Sequence, residues 1–148
     1  MSTRDVVHAF FAAVERRDVE AAAAWFADDA PYSNVPHPPT FGPAGVKAML
    51  NNILAASTEV RWDVVSEAYD GGRGHVERID RFVIGGTEYS VSCHGVFDVD
   101  QERRLITSFR DYADLTPWRA TVVPALERWL AGELQHGRLH DRGSNTIG

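Results

Sequence analysis

The stretch Val76-Glu77-Arg78-Ile79-Asp80-Arg81-Phe82-Val83-Ile84 decides how the rest of this chain is read. Its alternating pattern marks a β-strand, in which every second side chain shares a face. One face carries Val76, Arg78, Asp80, Phe82 and Ile84; the other carries His75, Glu77, Ile79, Arg81 and Val83. The more apolar face is expected to turn inward, and it takes an arginine and an aspartate with it. Buried charge is costly unless paired, and even paired it adds little net stability. Alone, Arg78 and Asp80 read equally well as an ion pair on a wet rim. A second strand weighs against that reading. In Leu105-Ile106-Thr107-Ser108-Phe109-Arg110-Asp111-Tyr112, Asp111 shares its face with Leu105, Thr107 and Phe109. Two inward carboxylates and one inward guanidinium are the makings of an acid–base site.

Outward from these strands, turns and helices follow from local signals. Gly71-Gly72-Arg73-Gly74 turns into the first strand and Gly85-Gly86 turns out of it. Val60, Trp62 and Val64 alternate with polar neighbours in a preceding strand. Tyr89, Val91, Cys93, Gly95, Phe97 and Val99 alternate in a following one. Towards the N-terminus the period becomes helical. Ser2 caps a helix carrying Val6, Val7, Phe10, Phe11 and Val14, and Asp18 caps a short second helix. A third helix starts near Pro43 with Val46, Met49, Leu50, Ile53 and Leu54 on one stripe. The proline-rich run from Tyr32 to Pro39 reads as extended or looping. Thr116-Pro117 opens a last helix with Trp118, Val122, Leu126 and Trp129, kinked at Pro124. Helices first and an antiparallel meander after them give an α+β fold, a curved sheet wrapped over the N-terminal helices. Residues 1–131 are expected to form one domain and residues 132–148 a loosely ordered tail.

Composition narrows the function. A net charge of −6 and a single lysine, Lys47, leave no cationic stripe for nucleic acid. One cysteine excludes an intrachain disulfide framework and fits a reducing compartment. No membrane-spanning run and no apolar leader segment are visible, so a cytoplasmic protein is expected. Cys93 has no adjacent base and reads as core filler. His136 and His140 have the spacing of a metal pair, but Gly137 between them argues against one.

Four motifs carry a resemblance: Tyr32-Ser33-Asn34-Val35-Pro36, Glu77-Arg78-Ile79-Asp80, Gly95-Val96-Phe97 and Arg110-Asp111-Tyr112-Ala113-Asp114-Leu115. In this order the chain resembles the limonene-1,2-epoxide hydrolase family, within the larger NTF2-like and SnoaL-like fold. It departs at Phe109, where family members commonly have Trp, and at Ala113, where they have a bulky aromatic. The resemblance implies a cone-like fold, a homodimer, and one-step opening of a small apolar epoxide by water, without a covalent enzyme intermediate.

The residue types suit that chemistry. An Asp–Arg–Asp group is anionic with both acids ionised and neutral with one protonated, and a dry pocket favours the neutral form. Asp80 then donates a proton to the epoxide oxygen while Asp111 takes one from water, with Arg78 holding both. Tyr32 and Asn34, two apart on an extended segment, can aim that water. Neither a metal nor a cofactor is required. Trp62, Phe82, Phe97 and Phe109 are expected to wall the pocket. Two other roles remain compatible with the same residues and fold. One is an epoxide-opening cyclase or another proton-transfer enzyme; the other is a non-catalytic binding or dimerisation module.

Overall fold

The structure is a computed structural model that describes residues 1–134. His136, His140 and most of the segment expected to be loose lie outside the described residues. Within that segment Leu134 is buried and packs on the turn at Gly85.

Helix α1 (Thr3–Glu15) begins with a reciprocal cap. Ser2 Oγ accepts from the Asp5 amide at 3.1 Å, and Asp5 accepts from the Ser2 amide at 2.9 Å. Its stripe of Val6, Val7, Phe10, Phe11 and Val14 is fully buried. Asp18 caps α2 (Val19–Ala23) through the Ala21 amide. Two short strands follow, β1 (Pro31–Val35) and β2 (Thr40–Phe41), and then α3 (Gly42–Ala56). Three long strands come next: β3 (Ser57–Asp70), β4 (Arg73–Ile84) and β5 (Thr87–Asp100). Strand β6 (Leu105–Ala113) closes the sheet-forming part. The chain then continues through α4 (Leu115–Pro117), a π-helical turn (Trp118–Val122) and α5 (Val123–Leu130).

The six strands form one curved, unclosed sheet in the order β2-β1-β6-β5-β4-β3. From β3 to β6 it is the expected antiparallel meander. The β4–β5 hairpin turns on Gly85 and Gly86, both at positive φ (59° and 83°), the conformation that a two-residue turn demands. The sheet does not end with the meander. Strand β1, read from sequence only as extended or looping, pairs parallel with β6 and sets Asn34 opposite Asp111.

Alternation holds through the centre of the sheet and fails at one edge. Val76, Arg78, Asp80, Phe82 and Ile84 are all buried, as their shared face requires. On β6, however, Ile106 is buried while Leu105 and Thr107 are only half-buried. A register shift after Asp98 pairs Val99 with Ile106 and Asp98 with Ser108, leaving Thr107 as the extra residue of a bulge. The expected shared face of Leu105, Thr107, Phe109 and Asp111 is therefore broken at Thr107.

The last helix has its irregularity just before Pro124. Proline supplies no amide proton to the carbonyl one turn back, and its ring crowds that carbonyl. The Val123 amide instead reaches the Trp118 carbonyl, one residue further back than an α-helix allows. The widened turn places Trp118 over the sheet, with its ring edge-on to Phe82 at 6.4 Å.

Candidate active site

Strand register explains how three charged side chains meet beneath the helices. Arg78 on β4 lies opposite Cys93 on β5, and Gly95, two residues further along β5, lies opposite Asp111 on β6. To reach Asp111, the Arg78 side chain must therefore cross β5. It crosses over Gly95, where no side chain blocks the way. A Cβ at that position would lie 2.8 Å from Arg78 Nη1, 2.9 Å from Phe109 Cε1 and 3.0 Å from Phe97 Cε2.

The guanidinium is fully buried and donates four hydrogen bonds. Nε and Nη2 reach Asp80 Oδ1 and Oδ2 at 2.9 and 2.8 Å; Nη1 and Nη2 reach Asp111 Oδ1 and Oδ2 at 3.1 and 2.9 Å. One planar fork thus grips both carboxylates by both oxygens. Its faces rest on aromatic rings, with Cζ 4.5 Å from the Trp62 centroid and 5.4 Å from that of Phe11. Asp80 and Asp111 are each only 4% exposed. The Cys93 thiol adds a bond to Asp80 Oδ2 at 3.4 Å.

Burial acts on each ionisable group here. It pushes the Asp80 carboxyl above the ordinary range, and Arg78, pulling the other way, does not cancel the effect. Desolvation works against the Arg78 charge too, but Asp111 and Asp80 overcome it and hold the cation. The Tyr32 hydroxyl is raised well above its usual value by burial and by the negative charge of Asp111, so it stays a neutral donor. Burial, reinforced by Asp80, likewise keeps Cys93 a thiol. Asp80 thus holds its proton further toward neutral pH than an ordinary carboxyl does.

Both carboxylates line a cavity of about 100 Å³, room for several waters or a small organic group. Tyr32, Asn34, Trp62 and Phe82 line it as well, so the structure brings these four together with Asp80 and Asp111. Tyr32 is held by its ring, stacked on Phe109 at 4.7 Å. The Trp62 indole nitrogen is the one buried side-chain polar atom without a hydrogen-bond partner among the described residues.

Phe97 and Phe109 do not wall the cavity. Both are fully buried beneath the guanidinium, stacked on each other at 4.1 Å, with Phe97 against Phe11. Alternation put them on the correct face, but it says nothing of depth, and the rungs beyond Arg78 are filled from above by Phe10 and Phe11. The apolar wall comes instead from Met49, Leu50 and Ile53 on the α3 stripe, from Trp118 of the last helix, and from Leu115 at the end of the fourth motif. Cys93, read as filler, also lines the cavity. His37 stands exposed at the rim, its ring nitrogen 3.1 Å from the Asn34 carbonyl. The stripe on α3 was the available signal for the first three, since a buried helix face opposite a charged strand face has to leave or fill a gap.

Residues 1–122 match the family model for the limonene-1,2-epoxide hydrolase catalytic domain. The chain belongs to the limonene-1,2-epoxide hydrolase family. Among solved structures it is similar to a limonene-epoxide-hydrolase-like epoxide hydrolase from M. tuberculosis. The two share 25% identity at a TM-score of 0.69, over 88% of this chain and 96% of that one. A SnoaL-like polyketide cyclase assigned in Shewanella denitrificans superposes at a TM-score of 0.73 with 10% identity, over 82% of this chain and 97% of the other. The epoxide hydrolase/cyclase-like enzyme SalBIII of salinomycin pyran-ring formation does so at 0.68 with 21% identity, covering 78% and 92%. The last two likenesses speak for the fold. Among the described residues, no helix is long and apolar enough to cross a membrane.

Proposed function

We propose that this member of the limonene-1,2-epoxide hydrolase family is itself an epoxide hydrolase, adding water in one step to a small or medium apolar epoxide to give a vicinal diol. The observation that carries this reading is the buried Arg78 fork gripping Asp80 and Asp111 at the floor of a mostly apolar cavity. Such a floor suits acid and base work on a neutral substrate, and the walls suit a hydrocarbon. In the proposed reaction Asp80, protonated, donates to the epoxide oxygen as the carbon–oxygen bond breaks. Asp111 takes a proton from the attacking water, and the new carbon–oxygen bond forms on the opposite side. The two carboxyls end with the proton exchanged between them, and return to the starting state through solvent. Tyr32 donates to the water and the Asn34 side-chain carbonyl accepts from it, leaving one lone pair free for attack. Arg78 orients both acids and balances their charge. No metal or cofactor takes part in these steps. The family resemblance adds a homodimer to this reading, which sedimentation of the purified chain checks.

The test is a panel of epoxides turned over in water labelled with heavy oxygen. The expected product is a diol carrying one labelled oxygen after a single turnover. Label entering only after several turnovers would make Asp80 or Asp111 a nucleophile and sink the one-step reading. A second reading, closure of an epoxide by the substrate's own hydroxyl, needs the same acid and base with that hydroxyl in the water's place. Hydroxy-epoxides in the panel separate the two, since a cyclic ether takes up no label.

A further inference from the structure

We propose that His75 and His94, on the outer face of the sheet, form a binding site for a divalent transition-metal ion of the zinc type. This site lies on the opposite side of the sheet from the cavity and is independent of the epoxide reading. The two histidines are exposed neighbours on adjacent central strands, set on a diagonal: His75 pairs with Val96, and His94 pairs with Glu77. His75 Nδ1 and His94 Nε2 stand 3.3 Å apart. That is long for a direct hydrogen bond between two rings that water can reach. It matches the separation that a shared ion requires. With metal–nitrogen bonds of about 2.0–2.1 Å, two nitrogens 3.3 Å apart subtend roughly 104–111° at the metal, a range that includes the tetrahedral angle.

The surroundings support an ion there. Both side chains stand on strands in the middle of the sheet, so little backbone ordering is lost on binding. Glu77, the cross-strand partner of His94 and two residues from His75, lies on the same face and adds negative charge there. Its carboxylate accepts from Ser66 Oγ at 2.9 Å. Two imidazoles, with water completing the coordination, make a donor pair that suits zinc. Arg73 and Arg110 both face Asp98, which offsets part of their charge.

The experiment uses the full chain with any purification tag removed and with His136→Gln and His140→Gln, which takes away the other close histidine pair in the sequence. Zinc is titrated calorimetrically, and cobalt is titrated as a probe of geometry. One ion per chain is expected, with a dissociation constant on the order of micromolar and with the intense visible bands of tetrahedral cobalt. His75→Ala and His94→Ala should each weaken binding by roughly tenfold or more, with the melting temperature of the metal-free chain unchanged. Glu77→Gln should weaken it by less. Absence of binding at millimolar zinc, or an affinity that neither histidine substitution alters, would overturn the site.

Discussion

Replacing Gly95 by alanine tests whether the passage over β5 is what joins Arg78 to Asp111. The added methyl would meet Arg78 Nη1 at 2.8 Å, Phe109 Cε1 at 2.9 Å and Phe97 Cε2 at 3.0 Å. Comfortable contacts lie near 3.5 Å, so the guanidinium must withdraw by roughly 0.5–0.7 Å. The two rings below it cannot yield easily, since they stack on each other and on α1. The bond most exposed to this shift is Nη1 to Asp111 Oδ1, already 3.1 Å. Overpacking a filled interior costs about 1–3 kcal/mol, and weakening a charged hydrogen bond adds about 1 kcal/mol. Stiffening the unfolded chain returns about 0.4–1 kcal/mol. The net loss is about 1–3 kcal/mol, and at about 2–4 °C per kcal/mol for a domain of this size Tm should fall by roughly 2–12 °C. Thermal melts followed by circular dichroism measure this, with Ser90→Ala on the exposed face of the same strand as control. Tryptophan fluorescence should change as well, because Trp62 rests on the moving guanidinium. A variant with unaltered Tm and fluorescence would refute the role given to Gly95.

Other expectations follow from the same charge cluster. Arg78→Met leaves two carboxylates buried without their cation and should cost about 3–5 kcal/mol at neutral pH, with part of the loss recovered in acid as they take up protons; urea melts at two pH values check this. Asp80 holds its proton more tightly folded than unfolded, so its contribution to stability is greatest in acid and declines as pH rises from the ordinary carboxyl range through its raised pKa. Asp80→Asn should flatten that part of the pH–stability profile, and an unchanged slope would contradict the assignment. For the proposed reaction, turnover should fall on the alkaline side as Asp80 loses its proton. Asp111→Asn and Asp80→Asn should each lose roughly a hundredfold or more in kcat while staying folded, and Tyr32→Phe should lose less, because two of the three contacts to the water survive.

Local pattern was enough to read much of this protein. A period of two placed Arg78 and Asp80 on one buried face of β4, and the same alternation on a second strand added Asp111 and turned an ambiguous ion pair into a candidate site. Caps at Ser2 and Asp18 and the Gly85-Gly86 turn set element ends through bonds and dihedrals that lie within a few residues. Such signals are complete within one segment, so sequence carries them. What lay beyond them depended on which distant segments meet. The parallel pairing of β1 with β6 put Asn34 beside Asp111 and set Tyr32 over Phe109. The depth of Phe97 and Phe109 came from the packing of Phe10 and Phe11 on α1 against the sheet, and the bulge at Thr107 from the pairing of β5 with β6. Alternation tells which side of a sheet a residue takes, but not how far down that side lies the layer closed by another element. The cavity belongs to that second kind of fact: Met49, Leu50, Ile53 and Trp118 wall it only because α3 and the π-widened terminal helix arrive over the same stretch of strand.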